Sequence, residues 1–556
     1  MAPLVRRRGN LTDLWVRCFN ALAFAAIAVA LVACSKVNTQ SAGGERAGAH
    51  TWTIPGVVRT SISEEPNTLV RMFSNQASAD DVSALLFEPF FRYDEHDRPV
   101  PALATRFPTL ANGLISKDGL RVTFPLRRDA VWSDDVPVTS ADVIFTWHAI
   151  VDGNNPVVYT AGYDKIKTIV ADDPHRVTFV LKQPYSPIVY LFSEGTFQPL
   201  PEHVLAKYAT LNNIPYDAAP IGDGPFRLKQ WLHGSDLIFE ANERYWRGAP
   251  HVREIDMKVI PNPTSQLNEL RTHEIDLVDG VSKPLAVQLG DIAGVRVRTT
   301  LQGAYRHLDF NLKSDILRDP DVRRAIARAI DVPKIIQTVY GGLGVQASTD
   351  IPPFSWAAND LRPIPYDPAG AQRLLTAAGW VAGMDGIRVK FGQRLALSIS
   401  TATDNRPNAN AEALVAQELK AVGIDLSVKN YAGAVLFAEG GPLYGGTYDM
   451  AWIVDYVGVD PDNLAKWGCD WFPPHGSNTD FYCNTAVDRS LQAAQLTFDE
   501  TQRRKDYEQA WRIMLDDVPA VMIYWDRNVT AANSDLKNFK PSPVFTDYWN
   551  AWEWEI

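Results

Sequence analysis

Residues 447–463 read Thr-Tyr-Asp-Met-Ala-Trp-Ile-Val-Asp-Tyr-Val-Gly-Val-Asp-Pro-Asp-Asn. The apolar run predicts a buried strand from Tyr448 to Val454 that empties into a Gly/Pro/Asp-rich loop. Asp455 stands where the run stops, beside Tyr456. A carboxylate at the end of an apolar, aromatic strand is costly unless a cation or several donors meet it. Two readings follow. Asp455 is either a strand-end aspartate capping a turn or an anionic anchor for the cationic group of a ligand.

The flanking sequence alternates strands and helices. Downstream, residues 500–515 predict a helix facing inward through Tyr507, Trp511 and Met514, with a strand at Ala520–Trp525. Upstream, a helix over 410–422 stops at Gly423 and leads into a strand, Ile424–Val428. Asp319-Pro320 and Asp367-Pro368 each place an N-cap before a proline at the first helical position. The first is followed by the apolar face Val322, Ala325, Ile326, Ala329 and Ile330. The second is followed by Ala371, Leu374, Leu375 and Ala378, with Gly379 as the stop. Nearer the N-terminus, Thr139 and Asp142 form a capping box for a helix facing inward through Val143, Trp147, Ile150 and Val151. Residues 226–241 read as a hairpin, and strands at 255–259 and 275–278 flank a short helix at 264–272. Strand–helix–strand units at this spacing build sheets with helices on their faces, so the class is mixed α/β.

Composition narrows the function. A chain of 556 residues that is 46% hydrophobic buries a core divided over two or three domains. Residues 1–33 carry four arginines and one aspartate, and the whole chain carries −11, so the part beyond residue 33 carries −14. That excess of acid argues against nucleic acid as a partner.

Arg6-Arg7-Arg8 and Arg17 precede a nearly all-apolar run, Phe19–Ala33, short for a membrane span and suited to a signal-peptide core. It closes on Leu31-Val32-Ala33-Cys34-Ser35, which resembles the lipobox of bacterial lipoproteins. That resemblance implies cleavage after a signal peptide of residues 1–33, acylation of Cys34, and a lipid-anchored, flexible tether over 34–50. The alternative is an ordinary signal peptide cut further along. Cys18 leaves with the signal, so Cys469 and Cys483 are the cysteines of the body. In an exported protein, two cysteines flanking one loop read as a structural disulfide. Two thiols with only His475 nearby are a poorer zinc site.

A resemblance joins these pieces. Pro101-Ala102-Leu103-Ala104, Leu126–Trp132 (Leu-Arg-Arg-Asp-Ala-Val-Trp), Thr139–Val143 (Thr-Ser-Ala-Asp-Val) and Gly222-Asp223-Gly224-Pro225-Phe226 occur in sequence. Asn242–Gly248 (Asn-Glu-Arg-Tyr-Trp-Arg-Gly) and Asp321–Asp331 (Asp-Val-Arg-Arg-Ala-Ile-Ala-Arg-Ala-Ile-Asp) follow. In this order they resemble the solute-binding proteins of bacterial peptide ABC importers, the dipeptide/oligopeptide-binding family 5, from about Thr51 to near the C-terminus. The resemblance implies a two-lobed periplasmic-binding-protein clamshell of the type II kind with an extra inserted domain. Lobe I would be 51–85 with 215–300 and 520–556, the insert 86–214, and lobe II 301–519.

The same resemblance gives residues roles. In peptide-binding relatives an aspartate after the second-lobe strand, ahead of Asp-Pro-Asp-Asn, pairs with the ligand's α-ammonium. Asp455 matches it, with two extra residues before Asp460-Pro461-Asp462-Asn463. Trp452, Tyr456 and Tyr448 become candidate pocket walls, though an alternating strand equally places some of them in the core. Glu65, Asn67 and Thr68 match a first-lobe loop lining the cleft. Arg406 stands near an arginine that meets the ligand carboxylate, but its spacing to the following helix differs by several residues, and the alternative is a solvated loop arginine. Cys469 and Cys483 fall where dipeptide-binding relatives carry a disulfide.

The expected function is therefore capture of short peptides in an interlobe cleft and delivery to permease subunits with their ATPases. A monomer without cofactor, metal or catalysis is expected. A related fold binding a nickel chelate, oligosaccharide or opine is the nearer alternative. A hydrolase built on Asp455, Asp460 and Asp462 is the distant one, because no catalytic signature accompanies those carboxylates.

Overall fold

Two long strands, Val295–Phe310 and Ala520–Asn533, run antiparallel from Val295 opposite Asn533 to Asp309 opposite Ala520. They form the middle of an eleven-stranded sheet. The computed structural model describes residues 49–403 and 406–556. Cys34, with the signal peptide and nearly all of the tether expected up to residue 50, lies outside the described residues.

Outward from the Ala520–Asn533 strand come Leu277–Val278, Val57–Ile62, Glu254–Val259, Asp236–Ala241 and Phe226–Leu232. Outward from Val295–Phe310 come Met450–Tyr456, Ala396–Ser400 and Asp425–Val428. The two long strands thus carry both halves of a two-lobed α/β molecule. Their pairing register breaks between Leu301 and Tyr305 and again between Arg306 and His307, and such irregularities re-aim a strand. Gly303 lies in the first break. Its N–H donates to the Pro543 carbonyl and its own carbonyl accepts from Val457 N–H, both at 2.7 Å. A Cβ at this position would stand 2.8 Å from the Val457 carbonyl oxygen, so the approach admits only glycine.

Opposed residues on neighbouring strands share a face. Asp455, Tyr305 and Trp525 are opposed in turn, and His307 follows Tyr305 on the same face. That face carries a core of Tyr305, Trp525, Trp467, Trp511 and Tyr507 under the helices Thr485–Leu496 and Glu500–Asp517. Trp452, Leu308 and Tyr524 take the other face with Val322, Ile326 and Val415, under the helices Pro320–Ala329 and Arg406–Ala421. The strands Val57–Ile62 and Asp236–Ala241 share one continuous core with the segment that carries Arg121–Pro125 and Arg176–Leu181, from Val58 and Phe239 to Phe124 and Phe192. That segment also reaches the helix Thr485–Leu496 and Trp356. Ser186 Oγ donates to the Ala494 carbonyl at 3.0 Å, and the Tyr190 and Trp356 rings stack 6.4 Å apart.

Local expectations meet three corrections. The strand expected at Tyr448–Val454 runs from Met450 to Tyr456, because pairing to residues 304–310 carries the backbone beyond the apolar run. Asp455 is therefore inside the ladder rather than after it. The Thr139 capping box forms as read, but Val151 at the end of its helix is exposed. The strand at Ala520–Trp525 continues to Asn533, and its partner Val295–Phe310 was not expected at all.

Cys469 and Cys483 are joined, with their Cα atoms 4.5 Å apart. The bridge closes the loop that carries Asn478 and Asp480. Replacing both cysteines by serine is expected to lower stability by about 3 kcal/mol in the chain-entropy picture. An unchanged urea midpoint would contradict this.

Candidate functional site

Asp455 meets a cation. Its Oδ2 lies 3.2 Å from His307 Nε2 and 3.8 Å from Lys466 Nζ. His307 reaches it because the two side chains share a sheet face, with Tyr305 opposite Asp455 and stacked on the imidazole at 4.9 Å. His307 Nδ1 is 2.5 Å from Asp309 Oδ1. Lys466 projects from the short helix Leu464–Trp467, and its Nζ lies 3.0 Å from Asp309 Oδ2 and 3.2 Å from Asp480 Oδ2. Three carboxylates therefore surround one ammonium and one imidazole. His307, Asp309 and Asp480 are wholly buried, whereas the Asp455 side chain is 38% exposed. Asp455 is the outlet of a closed charge cluster.

Burial and charge compete at each group. Burial disfavours the His307 imidazolium, but the carboxylates of Asp309 and Asp455 outweigh it and push its pKa up to about 9. Burial opposes ionisation of Asp455, yet Lys466 and His307 pull it below its ordinary range. Asp309 is likewise held well down against burial by His307 and Lys466. Asp480 goes the other way, pushed up to about 8 by burial and by Asp309 despite Lys466. Burial lowers the Lys466 ammonium less than the three carboxylates raise it.

The loop after Asp455 is fixed from behind. Asp460 accepts from Arg503 Nη2 at 2.8 Å, and Asp462 accepts twice from Gln495 Nε2 at 3.0 and 2.9 Å. Asn463 Nδ2 and Trp467 Nε1 both donate to Asp350 Oδ2, at 2.7 and 2.8 Å. These acids hold the backbone in shape and have their own partners.

The other expected site residues divide. Tyr456 is largely exposed next to Asp455. Trp452 packs in the core on the opposite sheet face, and Tyr448 is buried with its hydroxyl donating to the Thr479 carbonyl. Strand alternation turns Trp452 away from Asp455, whereas Tyr448 precedes the strand and packs with Leu436, Leu443 and Ile453 beneath the surface. Glu65 accepts from Trp231 Nε1, His233 Nδ1 and Gly234 N–H, which fastens its loop to the hairpin. Asn67 Oδ1 accepts from Ser74 Oγ, and Thr68 Oγ1 donates to the Asp217 carbonyl. None of the three bonds Asp455. Arg406 opens the helix Arg406–Ala421, and its side chain lies outside the described residues.

Sequence reading missed His307, Asp309, Lys466 and Asp480. The available signal was His307-Leu308-Asp309, two ionisable residues at strand spacing beside the apolar Leu308 and Phe310. It also missed a second charge group on the other face. There Arg306 donates from Nε to the Tyr524 hydroxyl at 2.6 Å and pairs from Nη2 with Asp526 at 3.2 Å. Lys283 of the short helix Lys283–Ala286 pairs with the same Asp526. Burial and Arg306 lower Lys283 to about 7. Among the described residues no group of His, Cys, Asp or Glu is arranged to hold a metal ion, and no helix is long and apolar enough to cross a membrane.

A family profile described as "Bacterial extracellular solute-binding proteins, family 5 Middle" matches residues 98–471. The chain is a family 5 solute-binding protein. Along nearly its whole length it is similar to the oligopeptide-binding protein AppA of Bacillus subtilis, 24% identical over 95% of this chain and 96% of that one. The solved structure of that AppA with a nonapeptide superposes on this solute-binding protein with a TM-score of 0.73, at 24% identity over 90% of this chain and 99% of that one. NikZ of Campylobacter jejuni, solved with Ni(L-His), superposes with a TM-score of 0.77, at 24% identity over 91% of this chain and all of that one. These likenesses establish the two-lobed fold of the family.

Proposed function

We propose that this protein captures short peptides outside the cytoplasmic membrane, between the 51–300 and 301–519 halves, for an ABC importer. The observation that carries the reading is Asp455, a partly exposed carboxylate at the mouth of an otherwise closed cluster. One oxygen is pinned by His307 and Lys466, while Oδ1 has no hydrogen bond or ion pair among the described residues. An ionised acid with one free oxygen near the C-terminal end of a strand suits a ligand ammonium. Tyr456 supplies an apolar flank, Arg406 is assigned the ligand carboxylate, and main-chain groups of the strands hold the peptide as an added strand would. The oligopeptide and dipeptide names of the relatives agree with this assignment.

Lobe I is assigned to 51–85, 215–300 and 520–556, the insert to 86–214, and lobe II to 301–519. The register breaks around Gly303 and Arg306 supply the hinge. Cys34 is assigned the lipid anchor, and the protein is taken to work as a monomer with permease and ATPase partners. Because NikZ was solved with Ni(L-His), a chelate is the second reading. Calorimetric titration with a panel of di- to pentapeptides, nickel-histidine and maltotriose distinguishes them. Saturable heat from peptides is expected, and heat from nickel-histidine or maltotriose alone would overturn the peptide assignment.

A further inference from the structure

The cluster behind Asp455 is built from four separate pieces of chain. Strand Val295–Phe310 gives His307 and Asp309, strand Met450–Tyr456 gives Asp455, helix Leu464–Trp467 gives Lys466, and the disulfide-closed loop gives Asp480. Three other titratable groups face it. The Tyr305 ring covers His307, Tyr448 lies close enough to feel Asp480 and Asp309, and Asp350 feels the imidazole while bonded to Trp467, Trp511 and Asn463.

Asp480 is the anomalous member. Both of its oxygens are buried without an aligned hydrogen-bond donor, and its nearest cation, Lys466, lies nearer to Asp309. His307 Nε2 is also buried without an aligned acceptor, although it points toward Asp455 at 3.2 Å. A buried carboxylate without donors ionises at a penalty, and the charge count in its surroundings decides whether it does so. With Asp480 protonated, Lys466 and a charged His307 balance Asp309 and Asp455. A further positive charge at the mouth tips that balance toward the Asp480 anion.

We propose that Asp480 is a positioning residue for the Asp455 site: it holds a proton while the cleft is empty and passes it to a buffer base when a cationic group docks. The O–H bond of Asp480 breaks, its electron pair stays on the carboxylate, and the new anion compensates the docked ammonium through Lys466. Ligand capture is then proton-linked, and affinity rises with pH up to tenfold per unit for one proton near neutrality. By about pH 8 the ligand's own α-amine is half neutral, which limits the rise. The proposal rests on the reading of Asp455 as an amine anchor.

The test is titration of Ala-Ala-Ala into the protein and its Asp480→Asn variant at pH 7, in phosphate and in Tris. The unsubstituted protein is expected to give heats that differ between the buffers by the ionisation heat of nearly one proton. Asp480→Asn is expected to give equal heats in both, whatever its affinity. Asp455-dependent binding with equal heats in both buffers for the unsubstituted protein would overturn the proposal while leaving the amine anchor intact. If neither Ala-Ala-Ala nor any other member of the di- to pentapeptide panel binds, the anchor reading fails and the proposal falls with it; unfolding without ligand tests the resting proton on Asp480 by itself. Burial and Asp309 push Asp480 up to about 8, so the stability that its proton confers is complete only below the carboxylate range of the unfolded chain and is lost progressively as pH rises from there to about 8. The Tm advantage of the unsubstituted protein over Asp480→Asn should therefore shrink between pH 5 and 9. A constant gap, as a purely structural residue would give, would overturn the proposal.

Discussion

Lys466→Met is expected to lower the stability of the protein by about 3–5 kcal/mol, the range for breaking a buried pair by removing one partner. The Lys466 ammonium lies within 3.2 Å of Asp309 and Asp480, both wholly buried. Methionine keeps much of the volume and removes the charge, leaving His307 as the remaining cation in the cluster against three carboxylates. Asp309 must then take up a proton or draw in water and Asp480 must keep its own, so the loss should be smaller at pH 5 than at pH 8. Urea unfolding at both pH values measures it. A midpoint within error of the unsubstituted protein at pH 8 would show that the cluster is held together by something other than Lys466. The double variant Lys466→Met/Asp480→Asn should recover part of the loss, because it removes one of the stranded acids.

The second large effect concerns the ligand. Asp455→Asn keeps the shape of the side chain and abolishes its charge. A docked ammonium would then face His307 and Lys466 without the intervening anion, a repulsive arrangement. Truncating one partner of a buried, hydrogen-bonded charge pair costs about 2–5 kcal/mol, roughly 30-fold to several thousand-fold in Kd. The free protein should tolerate the change better than it tolerates Lys466→Met, because Asp455 is the solvent-reaching member of the cluster. Comparable binding by Asp455→Asn and the unsubstituted protein would move the anchor elsewhere.

The legible parts of the sequence were those governed by local rules. Asp319-Pro320, Asp367-Pro368 and the Thr139 capping box announce their helices because the cap and the first turn lie within four residues. The pairing of Cys469 with Cys483 was legible for a similar reason, since export and one short loop leave little choice. What escaped depended on partners far along the chain. The Val295–Phe310 strand alternates Val295, Arg296, Val297 and Arg298, then breaks at Gly303 and resumes with His307 and Asp309 facing inward. Its inward polar residues are charge-paired with Lys466 and Asp455, more than 140 residues later, and no periodicity can show that. Trp452 was ambiguous in the sequence because aromatic residues on both faces of a central strand look alike. Only the helices packed on each face separate core from cleft.

The central contact is that between Asp455 and a ligand amine, and a double-mutant cycle addresses it directly. Ala-Ala-Ala and its N-acetylated form would each be titrated into the protein and into Asp455→Asn. If the amine sits on Asp455, acetylation weakens binding to the unsubstituted protein by the 30-fold or more expected above and has little further effect on Asp455→Asn. If acetylation and substitution each weaken binding but multiply independently, the amine and Asp455 do not meet, and the central claim is wrong.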